Sequence, residues 1–171
     1  VEAARPDQPL LYSSVTIIQE RKQVERIQQA TEQVFRQAQA VAQVGHWTWD
    51  TLRNHVTWSD EMMRIFGLDP GTYAGDLTQV IDAVIHPDDR PKLLAVNETA
   101  REGNPHALEY RVVHPDGSVH HILAVPVDRI TDEMGQVVLL TGIAQDITAR
   151  KQAEAQVAAL HERITQLVNS V

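Results

Sequence analysis

The sequence predicts an α+β domain, with strand-like and short helical stretches in its middle, between two amphipathic helices. Three observations carry this. Apolar residues near both ends of the chain repeat in heptads. The middle alternates strand-like and helix-like stretches. Pro115-Asp116-Gly117 separates two runs rich in β-branched and bulky residues. Alternating spacings of three and four keep one helix face apolar, and a Pro-Asp-Gly turn between strand-like runs marks a hairpin.

The elements follow in order. Residues 1–16 have no clear period and include Pro6 and Pro9. From Ile17, Val24, Ile27, Thr31, Val34, Ala38 and Val41 form the seam of an entering helix or coiled coil that spans 17–44. His46–Trp49 reads as a strand, with a turn near Arg53-Asn54 and a short second strand at His55–Trp58. Ser59 is a helix N-cap with Asp60 and Glu61 in the first turn, and Gly67 ends that helix. Asp76 caps a second helix carrying Leu77, Val80, Ile81, Val84 and Ile85. Pro87 stops it, because the residue before proline avoids helical angles. A third helix covers about 88–102, with Asp88 and Asp89 at its start, where the macrodipole favours them, and Gly103 beyond its end.

Strands at 107–114 and 118–127 flank the hairpin turn, and 136–146 is the last strand. A second heptad helix covers 149–171, with Ala153, Val157, Leu160, Ile164, Leu167 and Val171 on its seam. Ile18–Glu25 also resembles Ile147–Glu154 at an offset of 129 positions, and Leu10-Leu11 falls on Leu139-Leu140 at the same offset. This points to tandem copies, with 1–16 as the tail of an upstream domain and 17–44 as its exit helix. Chance similarity between two Arg/Lys/Gln-rich helices is the alternative.

Composition narrows the function classes. The chain of 171 residues is 43% apolar and 22% charged, enough for one domain with extra helix. Net charge is −8 and no basic patch occurs, so no nucleic-acid partner is expected. Cysteine is absent, which removes disulfides, thiolate nucleophiles and thiolate metal sites. No metal signature, phosphate loop or nucleophile elbow is present. No apolar run of about 18 residues and no secretory signal occur, so no membrane contact and a cytoplasmic location are expected. Val1 in place of Met suggests a fragment, whose parent is free to be membrane-bound.

The ordered motifs carry a family resemblance over about 45–150. They are Gly45-His46-Trp47-Thr48-Trp49-Asp50, Trp58-Ser59, Ile65-Phe66-Gly67-Leu68-Asp69-Pro70 and His86-Pro87-Asp88-Asp89-Arg90. Glu109-Tyr110-Arg111, Pro115-Asp116-Gly117-Ser118 and Gly142–Thr148 complete the set. Residues 45–148 resemble a PAS domain with its C-terminal PAC portion. The resemblance implies a five-stranded antiparallel sheet with strand order 2-1-5-4-3, short helices around a small cavity, and dimerisation through flanking helices. It also implies a place upstream of a histidine kinase, a diguanylate cyclase or a chemotaxis module.

Comparison with flavin-binding relatives turns Tyr110, Val112, His120, Ile122, Ala124, Leu140, Gly142 and Ala144 toward the cavity. Ile65, Phe66, Ile81, Val84, Leu93 and Leu94 close it from the helices. Small Gly142 and Ala144 would leave room for a ligand, although the same residues also read as plain core. The cofactor is unknown. A light-sensing flavin adduct needs a cysteine, and haem needs an axial histidine that residues 88–102 lack. His120 and His121 stand where the family usually has Arg-Trp. Neighbours on a strand face opposite sides, so they do not form one metal site. His120 reads as a ligand or proton contact, or as an ordinary hydrogen-bonded histidine.

In the family the Asp146-Ile147-Thr148 motif couples sheet to helix, with Arg111 as the candidate partner of Asp146. Either Asp146 or Thr148 also reads as a simple cap. The stretch around His161 departs from the phosphoacceptor box of histidine kinases and reads as solvated helix. Three functions remain: a sensor-relay module that dimerises through the Val24–Val41 and Val157–Leu167 seams, a ligand-free dimerisation module, and, least favoured, a small α+β enzyme.

Overall fold

The computed structural model describes the backbone of residues 8–70 and 75–169, and side chains from Ser14 onward. Helix α1 runs from Gln8 to Ala42. It starts well before the Ile17 the heptads suggest, because Pro9 lies in the first turn, where a missing N–H breaks no helical bond. Residues 1–7, part of the proposed upstream tail, lie outside the described residues, and 8–16 are helical. Val24, Ile27, Val34, Ala38 and Val41 are all exposed on α1. After α1, Gln43 adopts φ 51°, the left-handed turn that commonly terminates a helix.

The rest of the chain builds one sheet and its covering helices. Strand β1 (Val44–Asp50) turns into β2 (His55–Trp58). The Asp50 carboxylate closes that turn by accepting from the Leu52 and Arg53 N–H groups, and Asn54 takes φ 52°. Helix α2 (Asp60–Ile65) begins at Ser59, whose Oγ accepts from the N–H groups of Met62 and His46. One hydroxyl thus caps α2 and ties it to β1. Helix α3 (Leu77–Val84) is capped by Asp76 through Gln79 N–H at 3.0 Å. A 3-10 turn at Pro87–Asp89 leads into α4 (Arg90–Arg101). Strands β3 (Leu108–Val113), β4 (Val119–Thr131) and β5 (Val137–Asp146) follow, then α5 (Thr148–Asn169).

All neighbours pair antiparallel in the order β2-β1-β5-β4-β3. The fold is therefore the α+β arrangement the sequence predicts. Strand β4 runs on to Thr131 rather than stopping near 127, and its register with β5 shifts between Pro126 and Asp128. Proline cannot donate to the ladder, so an irregularity there lets the strand continue.

One sheet face is covered by α2, α3 and α4. Phe66, Val112 and Ile122 are its most deeply buried large side chains, and Val80, Ile81 and Val84 form the buried stripe of α3. A smaller cluster joins Trp49, Ala100, Val137 and Leu140. Gly142 on β5 is needed for close approach. A Cβ there would lie 2.6 Å from Trp47 Cε2 and 2.5 Å from the Val125 carbonyl oxygen. The indole has no easy retreat, since its Nε1–H donates to the Ile143 carbonyl at 3.1 Å. The space that Gly142 frees is therefore occupied by Trp47. Gly142→Ala should destabilise the fold by about 1–3 kcal/mol through overpacking. The check is urea unfolding followed by tryptophan fluorescence; unchanged stability would show that Trp47 does not hold this position.

Candidate functional site

Two places bring side chains together. The first is an apolar cavity of about 100 Å³ between the helices and the inner sheet face. Aliphatic side chains make up most of its wall, with the aromatic groups of Trp47, Trp49, Trp58, Phe66 and Tyr110 among them. Of the residues expected at a pocket, Phe66, Ile81, Tyr110, Ala124, Leu140 and Leu93 border it. Ile65, Val84, Val112, Ile122, Gly142 and Ala144 are buried in the surrounding core without reaching it. Leu94 is exposed, because successive helix residues point about 100° apart and Leu93 already faces inward. His120 does not border the cavity.

The tryptophans were legible in principle. On a pleated strand, alternate positions share a face, so Trp47 with Trp49 and Val56 with Trp58 fall on the side that meets the helices. His106 and Asn97 are further polar side chains at the wall, and His106 is solvent-exposed. Burial pushes the Tyr110 phenol well above its usual range, so it stays protonated and able to donate.

The second place is the junction of β5 with α5. Asp146 Oδ1 accepts the Thr148 N–H at 2.8 Å, and Thr148 Oγ1 accepts the His121 N–H at 2.8 Å. The Ile147 N–H donates to the His121 carbonyl at 2.8 Å. The start of α5 is thereby stitched to β4. Lys151 and Arg150 on its first turn pair with Glu109 of β3, which binds the helix across a third strand. Val157, Leu160, Ile164 and Leu167 farther along α5 are exposed.

Arg111 does not partner Asp146. Its backbone N–H, Nε and Nη2 all donate to Asp89, at 2.7, 3.0 and 2.6 Å. Position explains this. Arg111 is on β3, the sheet edge, where the Pro87–Asp89 turn docks, whereas Asp146 is on β5 with β4 between them. Asp146 Oδ2 instead meets His120 Nδ1 at 2.7 Å from the intervening strand. Asp89 makes no side-chain cap on α4, so its role lies in this cross-link.

A family model described as the PAS fold matches residues 55–144. The chain belongs to the PAS family. It is 32% identical over 124 residues to the blue-light-activated histidine kinase of Brucella ovis, covering 72% of this chain and 24% of that kinase. The Brucella abortus kinase of the same name gives the same figures. This PAS chain therefore spans about a quarter of the length of the curated relatives it matches. Among solved structures, it is similar to a sensory box histidine kinase/response regulator from Burkholderia thailandensis. The match has a TM-score of 0.62 and 25% identity, over 77% of this chain and 98% of that one. The N-terminal domain of a Marinobacter aquaeolei diguanylate cyclase with PAS/PAC sensor shares the fold, with a TM-score of 0.56 and 20% identity, over 63% and 98% of the two chains. The Brucella relatives are histidine kinases, and the Marinobacter aquaeolei domain shows a shared fold alone. No helix among the described residues is long and apolar enough to cross a membrane.

The Asp89–Arg111 cross-link has a pH signature. Hydrogen bonds from the Arg111 side chain lower the Asp89 carboxyl from 3.8 to about 2, against the opposing effect of burial. A depressed carboxylate contributes stability that is present above its unfolded value and lost as pH falls toward its folded value. Stability of the native chain should therefore drop between pH 4 and pH 2 by on the order of 1 kcal/mol from this pair, allowing for solvent screening. Asp89→Asn should remove that part of the acid sensitivity in urea titrations at each pH. An unchanged acid profile would count against the cross-link.

Proposed function

We propose that this PAS module is a sensor-relay unit: a small uncharged apolar molecule occupies the cavity, and the response leaves through α5 to an effector, a histidine kinase first and a diguanylate cyclase second. The observation that carries this is the stitched β4–β5–α5 junction followed by an unpartnered apolar seam. A helix fastened at one end to three strands follows a shift of the sheet, and an exposed heptad stripe on the same helix needs a partner surface. A second copy of the chain supplies that surface most simply, through the Val157–Leu167 seam and, on its own account, the Val24–Val41 seam of α1.

The wall chemistry supports the ligand class. Its described side chains include no Lys or Arg to compensate an anionic ligand. A volume of about 100 Å³ is below the ~150 Å³ that holds benzene and well below the ~300–1,000 Å³ of drug-sized sites. It suits a molecule smaller than a benzene ring, with the Tyr110 hydroxyl as a neutral donor. Flavin does not fit. The chain has no cysteine for an adduct, the described wall offers no Lys or Arg for a phosphate, and the volume is too small. The blue-light relatives therefore inform the architecture of this chain and not its chromophore. The same small volume also favours a second reading, in which the module relays between partners without any ligand.

Two measurements test these readings. Leu160→Glu and Ile164→Glu on α5, combined with Ile27→Glu and Val34→Glu on α1, should convert a sedimenting dimer to a monomer while the sheet stays folded by circular dichroism; a wild-type chain that is monomeric at high concentration would defeat the relay dimer. A probe smaller than benzene, such as xenon or propanol, at 100-fold excess over its Kd should raise the melting free energy by about 2.7 kcal/mol, and Ala124→Leu, which fills the cavity, should abolish the shift. No shift with any such probe would leave the ligand-free reading.

A further inference from the structure

His120 takes no part in the cavity, yet it is the most densely connected side chain at the β5–α5 junction. Its Nδ1 is 2.7 Å from Asp146 Oδ2, and its Nε2 is 3.1 Å from Ser118 Oγ. Ser118 Oγ is also 2.6 Å from Asp116 Oδ1, which accepts the Ser118 N–H as well. The ring stacks on His114 with centroids 3.9 Å apart and planes within 10°. His114 in turn is held by Nε2, 2.8 Å from the Ile65 carbonyl, and lies against Gly67, where a Cβ would come within 2.6 Å of its ring.

Donor counting assigns the protons. An ionised carboxylate only accepts, and a serine hydroxyl has one hydrogen to give. Asp146 therefore requires a hydrogen on Nδ1. Ser118 spends its hydrogen on Asp116, so the contact between Nε2 and Oγ requires a hydrogen on Nε2 too. Every contact is satisfied together only when His120 is an imidazolium. In the neutral ring with Nδ1–H, Nε2 becomes an acceptor, and Ser118 must choose between it and Asp116.

The surrounding charges agree with this count. From the hairpin turn, Asp116 faces the ring, held below its usual range by the Ser118 hydroxyl and N–H. From β5, Asp146 is pushed up by burial but brought below its usual range by Thr148 and then by His120. From the end of β3, the stacked His114 is a group whose charging would oppose that of His120. From α2 the ring pair meets the Ile65 carbonyl, and from α5 Lys151 and Arg150 are engaged with Glu109. Both carboxylates thus remain acceptors across the range in which an imidazole titrates.

We propose that the module has a proton input distinct from its cavity: charged His120 bolts the Pro115–Ser118 turn to the N-terminus of α5 through Asp116, Ser118, Asp146 and Thr148, and loss of its proton frees the turn and loosens the helix origin. The signal class is a change of pH. Hydrogen bonds to a charged donor are stronger than those to a neutral one, so the anchor weakens in one step as the ring is discharged.

The test is nuclear magnetic resonance on the whole 171-residue chain between about pH 5 and about pH 8.5, spanning imidazole titration. The ring nitrogens of His120 should report an imidazolium at the acidic end. The amides of Ser118, His121 and Thr148 should shift with the same midpoint. Exchange protection at Thr148–Lys151, corrected for intrinsic rates, should fall roughly five- to tenfold on discharge. His120→Gln, which keeps hydrogen-bonding groups without a titrating charge, should flatten all of these responses. A His120 ring already neutral at pH 5, junction amides that ignore its titration, or a pH response surviving in His120→Gln would each overturn the proposal. The wild-type titration decides the matter even if the variant does not fold.

Discussion

Strand β5 is the constraint on which the rest of the domain depends. It is hydrogen-bonded on both sides, to β1 and to β4, so its backbone has little freedom to move alone. Its inward positions are Leu140, Gly142 and Ala144, a large residue followed by two small ones. Leu140 supports the small cluster with Trp49 and Ala100. Gly142 admits the Trp47 indole, and Ala144 lets the main core close over the centre of the sheet. Its outward end is Asp146, which turns the chain into α5. Packing inside and geometry outside are therefore properties of one short segment.

That arrangement couples the origin of α5 mechanically to the sheet. The bonds that define the start of α5 come from β4 and β5, and the ion pairs of its first turn come from β3. A displacement of these strands alters the helix origin directly, without a flexible linker between them. The cavity wall shares the same sheet through Tyr110, Ala124 and Leu140, and His120 reaches the junction from the opposite end of its strand pair. A ligand and a proton would thus act on different ends of the same small set of strands.

Much of this architecture was legible in the residues. Ser59 and Asp76 cap the helices expected of them, because a side-chain oxygen before an apolar stripe satisfies the first free N–H groups wherever it occurs. Pro115-Asp116-Gly117 makes the hairpin for an equally local reason, with Gly117 at φ 85°. The membership of the pocket was only partly legible. Parity selects a strand face, but it does not say whether a residue on that face touches a void or another side chain. Val112 and Ile122 share a face with Tyr110 and Ala124, yet they are sealed in the core.

Local chemistry alone thus determined the helix caps, the turns, the heptad stripes and the strand faces, since each depends on residues within a few positions of one another. Tertiary structure decided the pairings across the sheet. Arg111 took Asp89 because an edge strand meets the Pro87–Asp89 turn, and Asp146 took His120 because β4 lies between β3 and β5. A charged side chain pairs with whatever the fold brings within hydrogen-bond reach, and that distance depends on strand order and register rather than on separation along the chain.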